Sequence, residues 1–390
     1  MANIDPVKDM EVLDFFNPID IDIIKGEKGF DEATWAQALA VNTTGQLDLA
    51  ERKIVLIGIE RSENDDGAAN EIRKYLYRLG RPEYAEKIAD LGNFKFGYLE
   101  KDYETLGFVL SELISNNHLP VLLNGSQEIT WAQYLAFCYM KDYVNLVSFD
   151  PRLDFNMYEN KKMLPDNFLQ KIFMAEPSYL FGYANIGYQS HFTGQAVIDF
   201  LENLYFDLHR LGDVRADLSN LEPLLRSSHF ASWDLSAIRQ SDSPATLTPS
   251  PNGFYSEEAC LLCRYSGIGS NMRSIGFYNF VPGLDRDGQT AHLTAQMIWY
   301  FVDGVMNQYP ESPMENKDDF TKFITAIEGN HYQIVFYKSK RTDRWWMEVP
   351  INEKEFSGTR HIMPCSYNDY LAATRDEIPE RWLNALKKFT

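Results

Sequence analysis

Lys53-Ile54-Val55-Leu56-Ile57-Gly58-Ile59 is a short apolar run rich in β-branched side chains, the pattern of a strand buried on both faces of a parallel sheet. A polar loop, Arg61–Ala69, follows it, and then Ile72, Tyr75, Leu76 and Leu79 recur at helical spacing. The alternation continues downstream. Thr105–Ser115 reads as helix, Leu119–Asn124 as strand, Trp131–Met140 as helix and Val144–Asp150 as strand. Ala196–Leu211 then reads as helix, Phe230–Leu235 as strand, Ser256–Tyr265 as helix and Ser274–Val281 as strand, before a long helix from Thr290 to about Met306. Strands alternating with helices require right-handed crossovers, which predicts an α/β chain with a mostly parallel sheet between two helical layers.

The rhythm sets the expected organisation. Residues 1–50 are acidic and without strict periodicity, and are expected to form an N-terminal arm. Residues 51–328 carry the α/β pattern. Residues 329–390 break it: Tyr332–Tyr337 and Trp345–Val349 are β-like runs around the polar turn Lys338–Arg344, and Pro379 opens a helix with Glu380 in its first turn and Lys387 and Lys388 in its last. That charge placement suits the helix dipole. A small hairpin-and-helix appendage packed on the main domain is expected. Gln240–Asn252, rich in Ser, Pro and Thr, is expected to be a loop.

Composition excludes several function classes. The chain of 390 residues has 37 Lys plus Arg against 56 Asp plus Glu, a formal charge of −19. Such a field repels a phosphate backbone, so nucleic acid is not expected as a partner. No apolar run reaches the roughly 18–20 residues of a membrane span, and Met1-Ala2-Asn3-Ile4-Asp5-Pro6 lacks the pattern of a secretory signal. Four cysteines make no disulfide framework. A cytoplasmic location is expected.

Ligands of open parallel sheets bind beyond the carboxyl ends of the strands, and three strands here end in polar clusters. They are Leu123-Asn124-Gly125-Ser126-Gln127-Glu128, Phe149-Asp150-Pro151-Arg152-Leu153-Asp154 and Ser232-Trp233-Asp234-Leu235-Ser236-Ala237-Ile238-Arg239. Asp150, Asp154 and Asp234 would converge at one rim, where crowded carboxylates need a cation, a proton or an arginine. The plainer reading is that one or two of them cap the turns that follow.

The order and context of these clusters resemble the ureohydrolases: arginase, agmatinase and formimidoylglutamase. That family carries Gly-Gly-Asp-His-Ser, Asp-Ala-His-x-Asp and Ser-Phe-Asp-x-Asp motifs at these places. Gly67-Ala68-Ala69 before Ile72-Arg73, Asn185-Ile186-Gly187-Tyr188-Gln189, and Pro282-Gly283-Leu284-Asp285 with Thr290-Ala291 are similar to further family segments. The resemblance implies a three-layer α/β/α arginase-like fold over roughly residues 50–310. It also implies a centre of two manganese ions held by four Asp and two His, hydrolysis of a guanidinium or formimino carbon, and trimeric or hexameric assembly, hence a homo-oligomer.

The departures shape the functional expectation. Matched position by position, the two ligand histidines are Gln127 and Arg152, and one ligand Asp is Ser236, while Asp150, Asp154 and Asp234 are kept. Three carboxylates and Arg152 sum to −2, short of what two divalent ions need. Arg152 is expected to fill the space of a lost metal and pair with Asp150, Asp154 or Asp234. On the substrate side, a family acidic residue falls on Asn279 and another Asp on Arg239, and no His lies between Asp154 and Tyr179. The resemblance therefore implies a pseudoenzyme without cofactor that binds a protein partner or a small ligand. The alternative is a hydrolase of C–N bonds in linear amidines (formimidoylglutamate-, agmatine- or arginine-like) with manganese in a rebuilt single-metal site on Asp150, Asp154 and Asp234.

Other signals read more plainly. Cys260-Leu261-Leu262-Cys263 lies in a helical stretch with no second pair, as an apolar helix face. None of the seven histidines shows ligand spacing, although His191 follows a family-like segment near the expected rim. Ser266-Gly267-Ile268-Gly269-Ser270 lacks the setting of a phosphate loop and reads as a helix C-cap. Trp345 and Trp346 must face opposite sides of a strand. One is expected under the C-terminal helix and the other against the main domain, or at a partner-binding face.

Overall fold

A computed structural model describes residues 11–25, 33–61, 67–156, 166–327, 332–351 and 360–389. Ten strands form the main sheet: β1 (Phe16–Asn17), β2 (Ala40–Val41), β3 (Ile54–Arg61), β4 (Ile88–Phe96), β5 (Leu119–Leu123), β6 (Val144–Phe149), β7 (Leu180–Tyr188), β8 (Asp207–Arg210), β9 (Phe230–Asp234) and β10 (Ser274–Tyr278). Their spatial order is β1-β4-β3-β5-β10-β9-β6-β7-β8, with β2 also paired to β4. Every pairing is parallel except β1 with β4. The chain order crosses over between β5, β6, β9 and β10, so four strand ends from distant sequence become neighbours at the sheet's centre.

Alternation along the strands builds the two flanking layers. Ile54, Leu56, Val121 and Leu123 enter one core, with α2 (Ala68–Leu76), α9 (Ser256–Ile268) and α10 (Gln289–Met306). Val55, Ile57, Ile59 and Leu122 enter the other, with α3 (Glu100–Ser115) and α4 (Thr130–Met140). The shorter helices α1 (Ile21–Lys25), α5 (Phe168–Phe173), α6 (Gln195–Asn203), α7 (Leu211–Ala216) and α8 (Glu222–Ser227) complete the layers. This is the three-layer α/β/α arrangement that the sequence resemblance implies.

One polar clamp crosses a layer. Arg73 of α2, fully buried, meets Asp90 of β4 through Nε and Nη2, both at 2.8 Å, and Tyr77 donates to the same carboxylate at 2.9 Å. Arg73 also reaches Asn93 at 2.5 Å. Gly58 leaves the room for this, because a Cβ there would lie 2.0 Å from Asn93 Oδ1.

Two sequence expectations are corrected. The helix Ala196–Leu211 is three elements, α6, β8 and α7, because Tyr205 takes a left-handed φ of 56° and Asp207–Arg210 pairs along β7. The C-terminal unit is a four-stranded antiparallel sheet, not a lone hairpin: β11 (Phe320–Ile327), β12 (Tyr332–Ser339), β13 (Trp345–Pro350) and β14 (Arg360–Cys365), with α11 (Tyr367–Thr374) and α12 (Glu380–Phe389). The expected hairpin is its β12–β13 pair. The sheet begins at Phe320, ahead of the 328/329 boundary. That boundary falls outside the described residues, as does the 62–66 part of the early polar loop.

Trp345 and Trp346 take opposite faces, and both are buried. Trp345 packs with Tyr370 of α11 and the core holding Trp382 and Leu386 of α12. Trp346 packs with Phe320, and the Arg226 guanidinium of α8 lies 4.3 Å from its ring centre. Arg226 Nη2 also donates to the Trp345 carbonyl at 3.0 Å. The main domain supplies the second cover.

Candidate functional site at the carboxyl ends of four central strands

The sequence clusters after β5, β6 and β9 meet, joined by the residue after β10. Two left-handed residues lace the first and last together. Asn124, φ 66°, accepts from the Phe280 amide at 3.1 Å, and Asn279, φ 69°, donates its own amide to the Gly125 carbonyl at 2.8 Å. Gly125, φ 100°, is needed because a Cβ there would meet Ile129 at 2.3 Å. This turn delivers Gln127 into the site. Under it, Phe149 and Trp233, which precede Asp150 and Asp234, stack with centroids 3.9 Å apart and planes 8° apart.

Both plain capping and convergence hold for the aspartates. Asp150 Oδ1 accepts from the Arg152 amide at 2.7 Å, and Asp234 Oδ1 accepts from the Ser236 amide at 2.7 Å. Their free oxygens nevertheless share a buried cluster with Asp154, the three residues being 2%, 6% and 7% exposed for Asp150, Asp234 and Asp154. Burial, then the charge of Asp234, pushes the Asp150 carboxyl up to about 7, opposed by the Arg152 amide, Asp154 and the Gln127 side chain. Burial and the neighbouring charges of Asp150 and Asp234 hold Asp154 well above the usual carboxylate range. Burial also raises Asp234, against hydrogen bonds from Ser236 and Asn279. The interaction between the two lowers Asp150 and raises Asp154, so of the pair Asp154 is the one that holds a proton more readily.

The expected direct pairing of Arg152 with this cluster is corrected. Its Nη1 reaches Thr248 Oγ1 at 3.3 Å and its guanidinium lies 4.6 Å from the Phe192 ring centre. Its charge is close enough to favour ionised Asp154 and Asp234, but no ion pair joins them. The Arg152 amide is used by Asp150 and its carbonyl accepts from Asn185 at 3.1 Å, while Thr248 and Phe192 hold the side chain outward. Arg239 also stands apart. It pairs with Asp242 at 2.8 Å and covers the Tyr255 ring at 4.1 Å. His191 is exposed and packs against Phe192, with ring centroids 4.2 Å apart. Part of the segment after Asp154, residues 157–165, lies outside the described residues.

Sequence reasoning did not find Thr248 and Phe192, which hold the Arg152 guanidinium on the outside; nothing in their spacing marks them. It also missed that Gln127 Oε1 and Ser236 Oγ are buried without a protein partner. Among the described residues, no group of three or more His, Cys, Asp or Glu is arranged to hold a metal ion, and no helix is long and apolar enough to cross a membrane.

A model of the arginase family matches residues 43–303. No curated protein matches the chain significantly. Among solved structures, a formiminoglutamase from Trypanosoma cruzi determined with Mn2+ is 17% identical, with a TM-score of 0.64 over 72% of this chain and 100% of that one. The formimidoylglutamase of Bacillus subtilis is 18% identical, with a TM-score of 0.61 over 70% of this chain and 92% of that one. The agmatine ureohydrolase of Thermoplasma volcanium is 22% identical, with a TM-score of 0.55 over 66% and 91%. At these identities the structural likeness is one of fold.

Proposed function

This chain belongs to the arginase family, and from that premise we propose that it is a member whose dimanganese centre has been dismantled and which acts by binding a protein partner or small ligand. The observation that carries the reading is the donor set. Two divalent ions about 3.5–4 Å apart need anionic or imidazole ligands on both sides. Here Gln127 offers a neutral amide, Ser236 a hydroxyl, and the Arg152 position a cation, beside Asp150, Asp154 and Asp234. These residues do not fit a pair of divalent ions.

The contacts within the cluster support the same reading. The Arg152 and Ser236 amides on Asp150 and Asp234, and burial that favours the protonated carboxyls, stabilise the cluster in place of metal. Asn279 favours the ionised form of Asp234 but supplies no charge for a cationic substrate, and Arg239 is engaged by Asp242. We further propose the C-terminal sheet as an addition to the family domain; of the N-terminal fifty residues, those described add β1 and β2 to the main sheet and do not form a separate arm. A cytoplasmic homo-oligomer fits this reading.

The second reading, a C–N hydrolase of linear amidines on one rebuilt metal, is favoured by the convergence of three carboxyl groups. Metal content separates the two. Protein purified without chelator and dialysed against Mn2+ is expected to carry close to no metal by mass spectrometry. One ion per chain would replace the first reading by the second, and an amidine-hydrolysis assay would follow.

A further inference from the structure

A cavity of about 990 Å³ lies at the opposite end of the strands. The amino ends of β6, β7 and β8 form its floor, and β14 and α12 of the C-terminal unit close it from the other side. The family match ends at residue 303, so one wall of this cavity is built from chain that the match does not include. Its volume is in the range of small-molecule sites, about 300–1,000 Å³, and junctions between units are a common place for them.

The lining selects a charge. Its two cations are already engaged: Lys388 pairs with Asp207 at 3.7 Å, and Arg381 with Asp369 at 3.3 Å. Glu202, Asp213 and Glu380 also line it, and among the described residues they form no ion pair. The three histidines of the wall, His209, His229 and His361, are all shifted toward the neutral form by burial and add no positive charge. An anion entering here meets unbalanced carboxylates, whereas a cation meets complementary ones.

The same walls carry apolar surface. Tyr143 and Phe181 line the cavity and are among the exposed large hydrophobic residues of the chain, at 68% and 42%, while Tyr205, the third, already carries Lys387 Nζ 5.4 Å from its ring centre, so a cation is the charge this wall accepts. Aromatic faces beside free carboxylates suit an organic ammonium, through apolar contact, cation–π attraction and charge. We infer that this junction cavity is a binding site for a small organic cation with an apolar body. The inference goes beyond the reading of the carboxyl-end site and does not depend on it.

Titration calorimetry in EDTA tests it, with phenethylammonium as the probe and 2-phenylethanol and 3-phenylpropionate as neutral and anionic counterparts. The ammonium is expected to bind at least tenfold more tightly than either. A Glu202→Gln/Asp213→Asn variant, altered only at exposed side chains, is expected to weaken it roughly tenfold, and Asn384→Trp, which fills the cavity, to abolish binding while the melting temperature is kept. Asp154→Asn, at the other end of the strands, should leave the affinity unchanged. No binding of the ammonium at millimolar concentration, equal binding of the alcohol, or unchanged affinity in both cavity variants would overturn the assignment whatever the metal content proves to be.

Discussion

Arg152 and Thr248 are joined by a 3.3 Å hydrogen bond that holds the guanidinium beside, and not within, the carboxyl cluster of Asp150, Asp154 and Asp234. Arg152 therefore acts on the cluster through its field. Arg152→Met is expected to cost about 1 kcal/mol, more at pH 8 than at pH 5, since its charge matters only when the carboxyls ionise. Urea unfolding at the two pH values checks this. A loss above about 3 kcal/mol at both would signal a direct buried ion pair instead.

Asp154→Asn replaces the raised carboxyl by an amide of the same size that carries no charge. In EDTA at pH 8 the variant is expected to be more stable than the parent by about 1 kcal/mol. A lower melting temperature than the parent's would mean that the Asp154 carboxyl makes contacts within the cluster that an amide cannot replace.

Restoring the family's residues should restore its ions if the backbone has kept the geometry. Gln127→His, Arg152→His and Ser236→Asp together are expected to give measurable Mn2+ binding and a Mn2+-dependent rise in melting temperature. A folded triple variant that ignores Mn2+ would count against the position-by-position match.

His229 predicts a pH dependence. Its Nδ1 accepts the Asn145 amide at 3.0 Å, and burial, then Arg273, pushes its pKa down to about 4, against about 6.5 when unfolded. The folded state binds fewer protons in that window, so its stability is full above pH 6.5 and is lost as pH falls toward 4. The contribution is about 3 kcal/mol, and His229→Gln should flatten the stability profile between pH 4 and 6.5. An unchanged slope would place the titration elsewhere.

The Arg73–Asp90 clamp makes a sharper test of the core. Arg73→Met leaves Asp90 buried and uncompensated apart from Tyr77 and the Gly92 amide, at an expected cost of about 3 to 5 kcal/mol. Adding Asp90→Leu should recover part of that loss. Additive losses in denaturant melts would show that the pair is not the origin.

Strands such as β3 and β5 were legible because their residues are apolar on both faces. β4 and β7 were not: Asp90, Gly92 and Asn93 serve the Arg73 clamp, and Gly182, Asn185 and Gly187 interrupt β7, so polar and glycine positions hid buried strands. At the candidate site, the aspartates were legible because Asp234 ends a strand and Asp150 and Asp154 come just after one. The direction of Arg152 was not, because it depends on Asn185, Thr248 and Phe192, which are remote in sequence.

The four cysteines give the fold an internal clock. Cys138 sits in α4, Cys260 and Cys263 in α9 and Cys365 in β14, all buried and free, and burial raises every one of these thiols above its ordinary range. A thiol reagent can reach them only during an opening event, because the reactive species is the exposed thiolate. The three elements belong to opposite helical layers and to the added C-terminal sheet. Alkylation rates resolved by cysteine would therefore report, without any engineered probe, in what sequence the layers of this molecule part.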